Sequence, residues 1–412
     1  MGRLNENFYT LAVIAGLSGC GGNFQENIEN PAGIVNDAPE KQVEFHSETV
    51  EKQSEKKYHF KVQKQIKATP VKDQAGSGTC WSFSGISFLE SELIRAGKGE
   101  YDLSEMFIVR NAYEEKAERY VRMHGHLNFG AGGLFHDVMN VVRENGLVPE
   151  NIYTGMNIGE KEHLHSEMDN VLKAYVDAVT ENKNKKLTPA WFNGFEGILD
   201  AYLGGIPKTF SYKGKRYTPK SFSEGLDLSI DNYVSISSFT HHPFYGKFVL
   251  EIPDNWASGE MYNLPLSDIA SVMENAINNG YSFTWGGDIS DIGFSSGEGI
   301  AIVPEKDWGE MSTEEVSNVF SEPVFQKEIT PEMRQTAFDN YNTTDDHVMH
   351  IVGVAKDQNG TKYYLTKNSW GAEIGPYNGY LYISEAFLLY KATVISLNKE
   401  AVPKKIAEKL DL

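Results

Sequence analysis

The stretch Val71-Lys72-Asp73-Gln74-Ala75-Gly76-Ser77-Gly78-Thr79-Cys80-Trp81-Ser82-Phe83-Ser84 decides how the rest of this chain is read. Its middle, Ala75-Gly76-Ser77-Gly78, is punctuated by glycine like a turn. From Cys80 onward Ile86, Leu89 and Leu93 recur at helical spacing and Gly97 follows as a stop, so a helix is predicted to begin at Cys80. A cysteine placed there faces unpaired backbone N–H groups and the positive end of the helix dipole, and both favour the thiolate. The chain holds only two cysteines, Cys20 and Cys80, among 412 residues, which excludes a disulfide framework and leaves each to be explained alone.

Upstream, Met1 to Cys20 reads as a targeting segment, with Arg3 near the start, an apolar run from Phe8 to Leu17, and small residues before Cys20. It is too short for a lasting transmembrane helix. Leu17-Ser18-Gly19-Cys20 resembles a bacterial lipoprotein lipobox, which implies acylation of Cys20 and a lipid-anchored place in the cell envelope. Residues 21–57 are rich in Asn, Glu, Gly and Gln and have the composition of a flexible tether. The folded domain is expected over 58–412.

Downstream, Gly130-Ala131-Gly132-Gly133 precedes a helical pattern through Val138, Val141 and Val142 that Gly146 ends, and 161–203 read as further helices. Phe210 to Tyr217 alternates around Lys213-Gly214 like a hairpin, and Tyr233 to Phe239 reads as a strand. A helix from Leu266 to Asn279 precedes a strand at Tyr281 to Trp285. The last third supplies strands at His347 to Val354, Tyr363 to Lys367 and Tyr380 to Ile383. Helices first and strands last predict an α+β fold in two lobes. The formal charge of −19 argues against a nucleic-acid partner, since phosphate binding needs a Lys/Arg surface.

The chemistry rests on three separated pieces: Gln74 with Cys80, then His347, then Asn368. A cysteine nucleophile needs a base to take its proton and return it to the leaving amine, and a third group to hold that base in the working tautomer. His347 and Asn368 are candidates for these tasks, and Gln74 is a side-chain donor for a developing oxyanion, together with the Cys80 backbone N–H.

The nucleophile segment, with Gly132-Gly133, His347-Val348-Met349-His350-Ile351-Val352-Gly353-Val354 and Lys367-Asn368-Ser369-Trp370-Gly371, resembles papain-like cysteine peptidases. The resemblance implies a helical left lobe, an antiparallel right lobe and an active cleft between them. It also implies peptide substrates, no metal and no organic cofactor. It assigns Gly132 and Gly133 to the substrate backbone and Trp370 to shielding the Asn-His hydrogen bond. Cys80 and His347 lie 267 residues apart, beyond the roughly 130 to 150 of simple papain-type chains, so an insertion is expected. Its content, including His242-Pro243-Phe244 and Trp285-Gly286-Gly287-Asp288, resembles the bleomycin hydrolase and aminopeptidase C branch, whose members cleave from the amino end and form hexamers; homo-oligomerisation is therefore compatible with the sequence. In that branch a C-terminal arm restricts the cleft. Here nine residues follow Pro403 and Lys404 to Leu410 among them have helical character, so an open endopeptidase cleft or a Cys-dependent acyltransferase stands as the alternative.

The remaining candidates have plainer readings. His350, three residues along a strand from His347, is expected to point away and pack in the core. The pairs His124 and His126, His163 and His165, and His241 and His242 lack an accompanying metal-ligand cluster and read as loop histidines. Glu114-Glu115-Lys116 reads as a solvated helix face. Trp285 and Asp288 read as core and turn residues or as parts of the cleft.

Overall fold

In the computed structural model, residues 57–412 are described; the lipobox with Cys20 and the tether, apart from its last residue, lie outside them. The described residues begin in the sheet rather than in the helical lobe expected from Tyr58 onward. Strand β1 (Lys61–Gln65) pairs antiparallel with Gly353 to Lys356, so the first described segment is an edge of the right lobe.

Helix α1 (Cys80–Arg95) begins and ends where the glycines allow. Gly78 takes φ +63° in the turn before it and Gly97 φ +69° after it, conformations that a Cβ would strain. Helices α2 (Glu105–Arg122) and α3 (Phe135–Asn145) pack on α1; a Cβ on Gly85 would come within 2.8 Å of Val138, so the glycine sets how closely α1 and α3 approach. Helices α4 (Ser166–Thr180) and α5 (Ala190–Leu203) complete the lobe, burying Leu172 and Phe195. The predicted hairpin forms as β2 (Phe210–Tyr212) and β3 (Lys215–Tyr217), with Lys213 and Gly214 both at positive φ, followed by α6 (Pro219–Leu226).

The insertion then feeds the sheet through β4 (Tyr233–Ser237), β5 (Lys247–Val249), β6 (Glu260–Asn263), α7 (Leu266–Asn278), β7 (Phe283–Gly287), β8 (Phe294–Ser295) and β9 (Ile300–Ala301). After α8 (Thr313–Asn318) and α9 (Pro331–Asp339) come β10 (His347–Lys356), β11 (Lys362–Lys367), β12 (Tyr380–Ser384), α10 (Glu385–Lys391), β13 (Ala392–Asn398) and α11 (Lys404–Leu410). Eleven strands form one sheet in the order β5-β6-β4-β13-β7-β10-β11-β12-β9-β8, with β1 also on β10. It is mainly antiparallel, but β4 pairs with β6 and β12 with β9 in parallel. Strand β13, not expected from the sequence, lies between β4 and β7 with all seven residues buried. Its run of Ala392, Thr393, Val394, Ile395, Ser396, Leu397 and Asn398 slips out of alternation at Val394-Ile395, which blurs the period of a strand. Of the nine residues after Pro403, Lys404 to Leu410 are helical as read, with Ile406 and Leu410 packed into the sheet-lobe core, and Leu412 borders a cavity shared with Phe135, Arg143 and Tyr262.

The lobes meet where α1 lies on β10. Ser84 Oγ donates to the Val348 carbonyl at 2.6 Å, and Ser87 Oγ bonds His350 Nδ1 at 2.9 Å. This contact sets the helix end that carries Cys80 beside the strand end that carries His347.

Candidate active site

Cys80 is the first residue of α1 and is 9% exposed. Burial pushes its thiol up to about 12; the backbone N–H groups of Val348 and Trp81 pull the other way, and the charges of Asp254 and Asp346 add to the rise. His347 opens β10 and is buried, which draws its imidazole down to about 4 against the favourable Asn368 hydrogen bond. For both groups burial therefore favours the neutral form.

The tautomer of His347 is fixed by its neighbours. Asn368 Oδ1 lies 2.7 Å from His347 Nε2 and also accepts the Ser369 backbone N–H at 2.9 Å. A backbone N–H can only donate, so the atom facing the ring is the carbonyl oxygen, and the ring must present a proton at Nε2. Nδ1 then carries the lone pair. Trp370 covers this pair, its ring centroid 4.8 Å from that of His347. The tryptophan keeps water from competing for a short polar contact.

Gln74 is held by the same segment. Its backbone N–H donates to the Ser369 carbonyl at 2.8 Å, its side-chain Oε1 accepts from Ser369 Oγ at 2.7 Å, and Asp73 bridges Trp370. The oxygen of the amide is therefore occupied, which leaves Nε2 as the donor for an oxyanion. Behind this layer Lys367 Nζ donates to Ser87 and Thr69, and Lys72 pairs with Glu105 at 2.8 Å, so buried charges anchor the segment leading to Asn368.

The structure brings Gly132 and Gly133 to the same place. A Cβ on Gly133 would lie 3.0 Å from the Trp81 ring, and one on Gly132 would fall inside the Asp254 carboxylate. Asp254 belongs to a segment that the sequence reading passed over, residues 250–259, which straps the two lobes together. At one end Leu250 and Ile252 pack with Phe248 and Met261 of the sheet lobe, and the Asp254 N–H donates to Asp345 at 2.9 Å. At the other Trp256, 1% exposed, sits in the core of the helical lobe with Lys116 Nζ 5.1 Å from its ring centroid. Asn255 holds the turn through bonds to Leu250 and Gly259. The available signal was Trp256, an apolar aromatic within a polar, turn-like stretch.

Other expectations divide. His350 is fully buried and bonded to Ser87, as read. Trp285 is core, with Nε1 donating to the Leu388 carbonyl at 3.3 Å, and Asp288 caps turns by accepting from Ser290 and Thr344. Lys116 is not solvated: it is 2% exposed and donates to the carbonyls of Gly130 and Gly132 at 2.6 Å each, supporting the glycine segment from below. His165 lies in a loop, as read, but is buried rather than solvated. His241 and His242 meet Glu251, their Nε2 atoms 3.2 and 2.7 Å from its two oxygens; these three are the group among the described residues with donors close enough to hold a metal, and in this state they bond one another.

A cysteine at a helix end and a histidine at a strand end, opposed across two lobes with an asparagine behind the histidine, is the framework of the papain-like cysteine peptidases. The sequence bears out that class: residues 22–412 match the Peptidase C1-like family, and the chain belongs to it. Cysteine proteinase 1 of Entamoeba histolytica is 30% identical over 164 residues, 38% of this chain and 47% of that protein, and procathepsin L of Felis catus is 30% identical over 165 residues, 39% and 46% respectively. The matched part thus spans about half the length of these relatives. Among solved structures, PepW from Lactobacillus rhamnosis HN001 (DR20) has the same fold, with a TM-score of 0.67 at 16% identity over 85% of this chain and 84% of that one.

Proposed function

We propose that the protein hydrolyses peptide bonds through an acyl-enzyme and removes residues from the amino end of its substrates. In this reading Cys80 Sγ attacks the scissile carbonyl as its proton passes to His347 Nδ1, and Gln74 Nε2 with the Cys80 N–H receives the oxyanion. The C–N bond breaks as His347 returns the proton to the leaving amine, leaving a thioester. Water, deprotonated by His347, then releases the acid and regenerates the thiol. Asn368 keeps Nδ1 of His347 free for each transfer, by its bond to Nε2.

The amino-end assignment rests on the strap. His347 must protonate the leaving amine, so the C-terminal part of the substrate lies toward Trp370, and the acyl part lies toward Gly132 and Gly133. That is where residues 250–259 run from one lobe to the other, with Asp254 over Gly132. A longer N-terminal extension would meet this segment. The lipobox-like Leu17 to Cys20 further supports a lipid anchor in the cell envelope.

The test compares a peptide with a free amino terminus against its N-acetylated twin, with Cys80→Ala as the inactive control. Cleavage of the free peptide from its first residue, lost in the control, supports the reading. Equal cleavage of both peptides means an open endopeptidase cleft, and product carrying an added amine in place of water means acyl transfer. Retained hydrolysis by Cys80→Ala ends the mechanism. For the anchor, Cys20→Ala should release the protein from the membrane fraction.

A further inference from the structure

Asp254 is a half-buried carboxylate with no cation in direct contact among the described residues. Its oxygens rest on Gly132, next to the Gly133 that packs on Trp81, and close enough to Cys80 for its charge to act on the thiol. Among the described residues it has a single side-chain donor, the Asn128 amide at 3.2 Å, and no ion-pair partner. Lys116 is the nearest positive influence, but it spends donors on the carbonyls of Gly130 and Gly132. Burial raises the Asp254 carboxyl above the usual range, and the neighbouring Asp345 adds to this more than Lys116 relieves it. An uncompensated carboxylate at such a position is costly unless a cation arrives.

The position is also held firmly. Trp256 anchors the strap in the helical lobe, the Asp254 N–H is tied to Asp345, and Asn255 bonds across the turn, so the carboxylate does not depend on a floppy loop. A firmly held anion against Gly132, on the glycine segment assigned to the substrate backbone, suits one substrate feature common to every unblocked peptide, the α-ammonium group.

We infer that Asp254 receives the free α-ammonium of the substrate's first residue and thereby sets the register of cleavage. The inference rests on the aminopeptidase reading above and supplies its recognising residue from an internal loop. A charge-assisted hydrogen bond of this kind is worth roughly 10- to 150-fold in affinity or rate.

The experiment uses the full chain and two matched fluorogenic amides, one with a free α-amino group and one N-acetylated. Wild type should favour the free amine. Asp254→Asn, which keeps the shape, should lower kcat/KM for the free amine by roughly 10- to 150-fold and leave the acetylated substrate within a few-fold, collapsing the ratio. Asp254→Ser gives a second, smaller side chain should the first variant fold poorly, and thermal melting establishes that each is folded. If wild type shows no preference, the aminopeptidase reading itself falls. If wild type discriminates and a folded Asp254 variant discriminates equally well, that reading stands and Asp254 is not the anchor. If both substrates lose activity in parallel, the residue supports the cleft structurally and the inference is likewise overturned.

Discussion

Replacing Asn368 with aspartate changes one thing, the charge beside His347. The Asn368 oxygen accepts from His347 Nε2 at 2.7 Å and from the Ser369 N–H at 2.9 Å, and a carboxylate oxygen can accept both, so the fold should hold. In the wild type burial holds His347 down at about 4, which makes it a neutral proton acceptor through the mildly acidic range. An opposite charge at hydrogen-bond distance favours imidazolium and raises such a group by about one to three units. The His347 value in Asn368→Asp should therefore lie between about 5 and about 7. A protonated imidazole cannot take the thiol proton, so the acid limb of kcat/KM should move up by the same amount. At pH 5 the variant should then keep between about one half and about one hundredth of its plateau activity, whereas the wild type keeps most of its own. The assay is kcat/KM from about pH 3.5 to about pH 8 at fixed ionic strength, with melting curves to confirm folding. A folded variant whose acid limb stays at the wild-type position would refute the orienting role given to Asn368 and the tautomer derived from it.

Two further outcomes are expected. Gln74→Ala should reduce kcat by about 100- to 1,000-fold with little change in KM, because the amide acts on the oxyanion rather than on bound substrate; single-turnover kinetics check this, and an effect confined to KM would reassign the residue. His165, buried and drawn down to about 4 first by burial and then by His163, should make the fold acid-sensitive. Its unfolded form takes a proton near 6.5, so its contribution is complete above that pH and is lost as pH falls toward 4, by up to about 3 kcal/mol. Urea unfolding of wild type and His165→Leu across this window should give a shallower pH slope in the variant, and equal slopes would count against the buried neutral state.

Much of the framework was legible because local signals and the fold agree. Glycines at 97 and 146 end helices, Lys213-Gly214 makes the hairpin turn, and Gln74 with Cys80, His347 and Asn368 come from three separated stretches. What escaped was set by tertiary contact. Strand β13 alternates only with a slip at Val394-Ile395, next to the shift in its register on β7, and β1 pairs with a strand almost three hundred residues later. Lys116 sits in a charge run that suggests a wet helix face, yet carbonyls of the glycine segment fill its donors. His241 and His242 gained a carboxylate partner only when β5 brought Glu251 back across the chain. Around Asp254 the signal in the sequence is Trp256 alone, and the carboxylate's position comes from where that ring is buried.

The placement of β10 bears on how the molecule opens. It is hydrogen-bonded on one side to β11 and on the other to β7 at its start and β1 at its end, and α1 lies across it. Amides in such a strand exchange with solvent only when the domain as a whole comes apart, whereas surface turns exchange through small local excursions. The strand that begins with His347 therefore belongs to the slowest-exchanging unit of the protein. Deuterium uptake would follow global unfolding at the base of the cleft and local breathing in the exposed turns, so the loss of activity on heating should coincide with cooperative melting of the sheet.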